Sequence, residues 1–136
     1  SSLWQGFPLF PLGPQIDIIH RDYYVGDSEK RMVFSMLTPG YGLDSPPQIT
    51  TIKNTGSEIL KIRGITLSGQ DAKDFVFARP DDYTLSPGEK TKLKVWFKNR
   101  QTLKSHRAKL HIFTNDSKDS PFSIDLVVRK YHAGEQ

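Results

Sequence analysis

A cysteine-free chain of 136 residues has the size of one domain and can bury a core without covalent staples; it excludes disulfides, thiol catalysis and cysteine-rich zinc sites. No apolar run approaches membrane-spanning length, and the opening segment lacks the positive charge of a signal peptide. The net charge of +4 is unevenly spread: Lys90, Lys92, Lys94, Lys98, Arg100, Lys104, Arg107 and Lys109 fall in one stretch without an acid, and the remainder is net acidic.

Residues 1–15 read as an extended arm. Trp4, Phe7, Leu9, Phe10 and Leu12 are apolar, and Pro8, Pro11 and Pro14 recur at every third position. Proline fixes φ, and this spacing suits polyproline II rather than a helix. So apolar an arm is expected to be buried, either across its own domain or against a neighbouring subunit. Trp4, Phe7, Pro8, Leu9, Phe10, Pro11 and Leu12 are its candidate partner-binding residues.

Short strands with period-two alternation then follow, which is the pattern of half-buried β-structure. The first are expected at 16–19, 23–25 and 30–37, with a loop at 38–47 (TPGYGLDSPP). Further strands are expected at 48–53, 59–62, 65–67, 75–77 and 83–85, with a helical turn over 71–75. The last three alternate most clearly. Leu93, Val95 and Phe97 oppose Lys92, Lys94 and Trp96; Ala108, Leu110 and Ile112 oppose Lys109, His111 and Phe113; Phe122, Ile124, Leu126 and Val128 oppose Ser123, Asp125 and Val127. Many short strands without a long helix predict an all-β sandwich over 16–128, followed by a polar tail at 129–136.

The segments KNTGSEILKIRGITLSG (53–69), DFVF (74–77), LSPGEKTKLKVWF (85–97) and AKLHIFTND (108–116) keep a consistent order and spacing. On these, residues 48–128 resemble the ASH-type domains of Hydin and abnormal-spindle proteins and the related choice-of-anchor D domains of bacteria. The resemblance implies an immunoglobulin-like antiparallel β-sandwich of the major sperm protein and PapD kind, with a non-enzymatic role in larger assemblies and no catalytic residues. In physical terms, Gly56 is expected to supply a positive φ for a hairpin turn. Pro87 and Gly88 suit a turn before a strand, and Asn115 and Asp116 are expected to bond back to their own backbone.

Catalytic constellations are not apparent. His20, His106, His111 and His132 are scattered, and His111, on a polar strand face, reads as a solvated surface group. The carboxylates Asp81, Asp82, Asp116 and Asp119 sit in turn-like contexts. No nucleophile elbow or phosphate-binding loop occurs. No catalytic residue, cofactor or metal is therefore expected.

The basic stretch is the main functional signal. If the strands at 91–97 and 108–113 formed a hairpin, Lys92, Lys94 and Lys109 would be cross-strand neighbours, with Lys98, Arg100, Lys104 and Arg107 around the turn. Trp96 and Phe113 are candidate aromatic contacts beside them. The expected partner is another protein subunit with an acidic surface, within a homo- or hetero-oligomeric assembly of cytoskeletal, ciliary, bacterial-envelope or virion type. A cytoplasmic or particle setting is favoured over secretion. The alternatives are a nucleic-acid binder, using the charges for backbone attraction, and a carbohydrate-binding module.

Overall fold

The alternation written into the sequence becomes two stacked sheets. A computed structural model describes residues 12–20, 23–24, 31–35, 47–98 and 106–129. Most of the arm (Trp4, Phe7, Pro8, Leu9, Phe10 and Pro11), most of the 38–47 loop, the basic residues Arg100 and Lys104, and the tail beyond 129 lie outside the described residues.

The strands are β1 (Ile16–His20), β2 (Tyr23–Tyr24), β3 (Arg31–Ser35), β4 (Gln48–Asn54), β5 (Leu60–Ser68), β6 (Phe75–Ala78), β7 (Thr84–Leu85), β8 (Lys90–Phe97), β9 (His106–Thr114) and β10 (Phe122–Arg129). A 3-10 turn, Ala72–Asp74, precedes β6 where a helical turn was expected. One sheet has the order β2-β1-β4-β8-β6 and the other β3-β10-β9-β5-β7. Among the described residues, pairing is antiparallel except between β3 and β10, which run parallel.

Inward positions close the core between the sheets. Ile18, Ile52, Leu93, Val95 and Phe97 of the first sheet meet Met32, Phe34, Leu110, Ile112, Ile124 and Leu126 of the second, all fully buried. Each such side chain contributes about 1.5–3 kcal/mol through removal of apolar surface from water. Phe34, Phe75 and Phe97 form an aromatic chain, with ring centroids 5.7 and 5.2 Å apart.

Three local expectations need correction. The segments 59–62 and 65–67 belong to one strand, β5, whose register against β9 shifts between Ile62 and Gly64. A bulge there breaks the alternation that would have joined them. Gly56 does not have a positive φ, and the turn it occupies carries the chain from one sheet to the other rather than closing a hairpin. Glycine is required because the arm's end crosses it: a side chain there would strike the backbone of Gly13, Pro14 and Gln15. Finally, β8 and β9 are not a hairpin. β8 pairs with β4 and β6, whereas β9 pairs with β10 and β5 in the opposite sheet.

The 86–89 turn forms as expected, with Gly88 at φ +86° and the Glu89 N–H donating to the Ser86 carbonyl at 2.9 Å. Asp116 does bond locally, its Oδ1 accepting from the Lys118 N–H at 2.9 Å. Asn115 instead bridges to β5 and the residue before it, accepting from the Lys61 N–H and donating to the Ile59 carbonyl.

The end of the arm is fastened beside the 54–58 turn. Gly13 donates to Ser57 Oγ at 2.9 Å and accepts from the Ser57 N–H at 2.8 Å, while the Thr55 N–H donates to the Gln15 carbonyl at 2.9 Å. Buried Asn54 organises the same corner. Its Nδ2 donates to the Glu58 and Leu85 carbonyls, and its Oδ1 accepts from Gly56 and Gln15. Leu12, one residue outside this anchorage, is 75% exposed.

Candidate interaction surface

Because β8 and β9 lie in opposite sheets, the expected basic patch is divided between two faces. Alternation turns Thr91, Leu93, Val95 and Phe97 inward, so Lys90, Lys92, Lys94, Trp96 and Lys98 fall on the outer side of β8. The lysines are exposed and Trp96 is partly buried. Arg107, Lys109 and Phe113 occupy the outer side of β9, across the thickness of the sandwich. Lys109 Nζ lies 3.8 Å from Asp125 Oδ1 on β10. That pair is more than half exposed on both sides and contributes little to stability.

The β8 face is enlarged by neighbours that sequence reading did not select. Register places Ile49 opposite Lys94, Thr51 opposite Lys92 and Lys53 opposite Lys90 on β4. On the other side, Val76 of β6 stands opposite Trp96, and Ala78 opposite Lys94. Ile49 and Val76 are 43% and 41% exposed, large fractions for apolar residues in central and flanking strands. The result is a row of lysines bordered by apolar surface. Among the described residues, Asp17, opposite Lys53 on β1, is the only acid in any strand of this sheet. Lysines about 5 Å apart on neighbouring strands repel one another, so this face carries a concentrated positive potential. Pairing partners for Ile49 and Val76 could be found only once strand order was known, since their own segments alternate like any half-buried strand.

The histidines also depart from expectation. His111 is partly buried rather than solvated, its ring nitrogens 2.7 Å from both Ser68 Oγ and Ser123 Oγ in a polar ladder across three strands. On this open strand face the ladder joins side chains of the sheet. His106 is fully buried and packs against Phe97, with tilted rings whose centroids are 4.7 Å apart. It gathers with Asp71, which precedes the 3-10 turn, and Asp74, which ends it, so one of the scattered histidines does meet carboxylates in space. The sequence signal was faint, because the two elements are more than thirty positions apart.

A family model for the HYDIN/CFA65/VesB-like Ig-like domain matches residues 43–127, more than half of the chain. The chain belongs to this Ig-like domain family. The resemblance seen in the sequence and the immunoglobulin-like β-sandwich it implied thus hold. Solved structures agree on the fold of this Ig-like domain. A protein of unknown function from Porphyromonas gingivalis W83 aligns with TM-score 0.64 at 15% identity, over 93% of this chain and 50% of that one. The Vibrio cholerae VesB protease aligns with TM-score 0.57 at 16% identity, over 74% of this chain and 30% of that one. The periplasmic chaperone SfaE aligns with TM-score 0.53 at 8% identity, over 91% of this chain and 60% of that one. The Ig-like domain therefore spans between 30% and 60% of each of these larger proteins. No curated protein sequence matches it significantly. Among the described residues, no helix is long and apolar enough to cross a membrane.

Proposed function

We propose that this Ig-like domain is a non-enzymatic docking module that binds an acidic protein surface through the outer face of the β8 sheet. The observation that carries the reading is the line of Lys90, Lys92 and Lys94 beside exposed Ile49 and Val76. Charge attraction draws the partner in, and the apolar border offers contact area once water is expelled. The module-like size of the match within VesB and the other larger proteins supports a role beside other domains or subunits. The apolar arm from Trp4 to Leu12 is the second docking element, leading from a fixed anchorage at Gly13 to Gln15.

Titration with poly-L-glutamate at low salt, followed by fluorescence or NMR, tests the basic face. Lys92→Glu combined with Lys94→Glu is expected to weaken binding by about tenfold or more, while Lys109→Glu on the opposite sheet leaves it unchanged. Equal losses in both variants, or no binding by the parent domain, would defeat the reading. Tighter binding to a single-stranded oligonucleotide than to poly-L-glutamate would favour the nucleic-acid alternative. For the arm, removal of residues 1–12 is expected to leave a folded domain and abolish self- or partner-assembly, read by light-scattering mass.

A further inference from the structure

We propose that Asp71, Asp74 and His106 form a binding site for one divalent transition-metal ion of the zinc class. The three residues come from two elements. Asp71 and Asp74 bracket the 3-10 turn that leads into β6 of the first sheet, and His106 opens β9 of the second. His106 Nδ1 lies 3.6 Å from Asp74 Oδ2 and 3.9 Å from Asp71 Oδ1. These separations exceed the range of an N–H···O bond, about 2.7–3.2 Å. They approach the spacing of two ligands on one ion, roughly 3.4 Å for a tetrahedral centre with ordinary zinc–nitrogen and zinc–oxygen distances. All three ligand atoms lie within 4.8 Å of one another, so closing on one ion takes a carboxylate movement of about 1 Å.

The site is held in place independently of any ion. The His106 ring is wholly buried and packed on Phe97, which limits its rotation. Asp71 Oδ2 accepts from the Arg107 N–H at 2.9 Å, leaving Oδ1 toward the imidazole. The Asp71 N–H in turn donates to the Arg107 carbonyl at 3.1 Å. The Asp74 N–H donates to the Asp71 carbonyl at 3.0 Å, and the Asp74 carbonyl accepts from the Lys98 N–H at 2.7 Å. Such outer bonds orient ligands before metal arrives.

Donor chemistry selects the class of ion. One imidazole nitrogen with two carboxylates suits zinc and its transition-metal neighbours, whereas calcium and magnesium take oxygen-only sets. Two carboxylates neutralise a divalent charge, so the ion enters a mostly buried site without leaving net charge there. The carboxylate side chains remain 12% and 14% exposed, which provides a route from solvent. Three protein ligands leave one tetrahedral position for water. The consequence is a staple between the two sheets at the end where β8 stops and β9 starts. This inference does not depend on the docking reading.

The test is calorimetric titration of the chelator-stripped, full 136-residue chain with zinc sulfate, paralleled by melting curves. One equivalent is expected to bind with a dissociation constant of about 10 µM or tighter and to raise the melting temperature. Calcium and magnesium should do neither. Asp74→Asn, which keeps size and hydrogen-bonding capacity, is expected to weaken zinc binding about tenfold or more. His106→Gln should do the same; if it fails to fold, Asp74→Asn alone decides. His111→Ala should leave binding intact. Absence of binding up to about 100 µM zinc, or unchanged affinity in Asp74→Asn, would overturn the proposal and identify the cluster as a buried imidazole–carboxylate contact only. Loss of binding in His111→Ala would overturn it too, by moving the site to the opposite strand face.

Discussion

Asp116 holds the first residue of β1 from the far end of the chain: its Oδ2 accepts the Ile16 N–H at 3.0 Å across a separation of 100 residues. The same carboxylate accepts from the Lys118 N–H through Oδ1, and the Asp116 N–H donates to Thr114 Oγ1. One buried side chain therefore shapes the β9–β10 turn and sets where the arm ends and the sandwich begins.

Asp116→Ala should cost about 1–3 kcal/mol, because it leaves the buried Ile16 N–H without its acceptor. Urea denaturation measures the loss, and hydrogen exchange at Ile16 should accelerate by more than at Asp17, whose backbone faces Lys53 in the β1–β4 ladder. Equal exchange at both amides would show that Asp116 does not fasten this strand end.

Gly56→Ala should destabilise the fold by about 1–3 kcal/mol, since a methyl group would meet the backbone of Gly13 to Gln15. The chain has two ways to respond, by shifting the turn or by releasing the arm. Limited proteolysis distinguishes them, with cleavage near residue 13 marking release. Gly64→Ala is the matched control. An added Cβ there meets nothing within 4 Å, so stability should stay level or rise slightly.

Leu110→Asp and Leu126→Asp should each prevent stable folding. Both side chains are fully buried between the sheets, and a carboxylate there would have to ionise in apolar surroundings or protonate at large cost. Circular dichroism and soluble yield report the outcome. A folded Leu110→Asp protein would contradict the inward register of β9.

Lys109→Ala should change stability by no more than about 0.5 kcal/mol, since its ion pair with Asp125 is exposed on both sides and readily screened. Denaturation at low and high salt checks this. A salt-sensitive loss well above that limit would mean the pair is better ordered than its exposure indicates.

What could be read before folding follows from the locality of each signal. Period-two alternation lies within single strands, so the inward set Leu93, Val95, Phe97, Leu110, Ile112, Ile124 and Leu126 was legible residue by residue. The Ser86 to Glu89 turn was legible too, because proline and glycine act on their own dihedral angles. Gly56 was correctly singled out but for the wrong reason, as its neighbour in space, Gly13, is remote in sequence.

By itself, then, the order of residues determined which side chains face inward, where most strands lie and which family the domain resembles. Only the tertiary structure decided which strands pair. That choice placed Lys92 and Lys109 on opposite faces, brought Ile49 and Val76 beside the lysines, and joined Asp71, Asp74 and His106. Alternation specifies the side of a strand but carries no information about its neighbour. A connection that returns within one sheet and one that crosses to the other leave the same period-two pattern, and packing of the whole core selects between them.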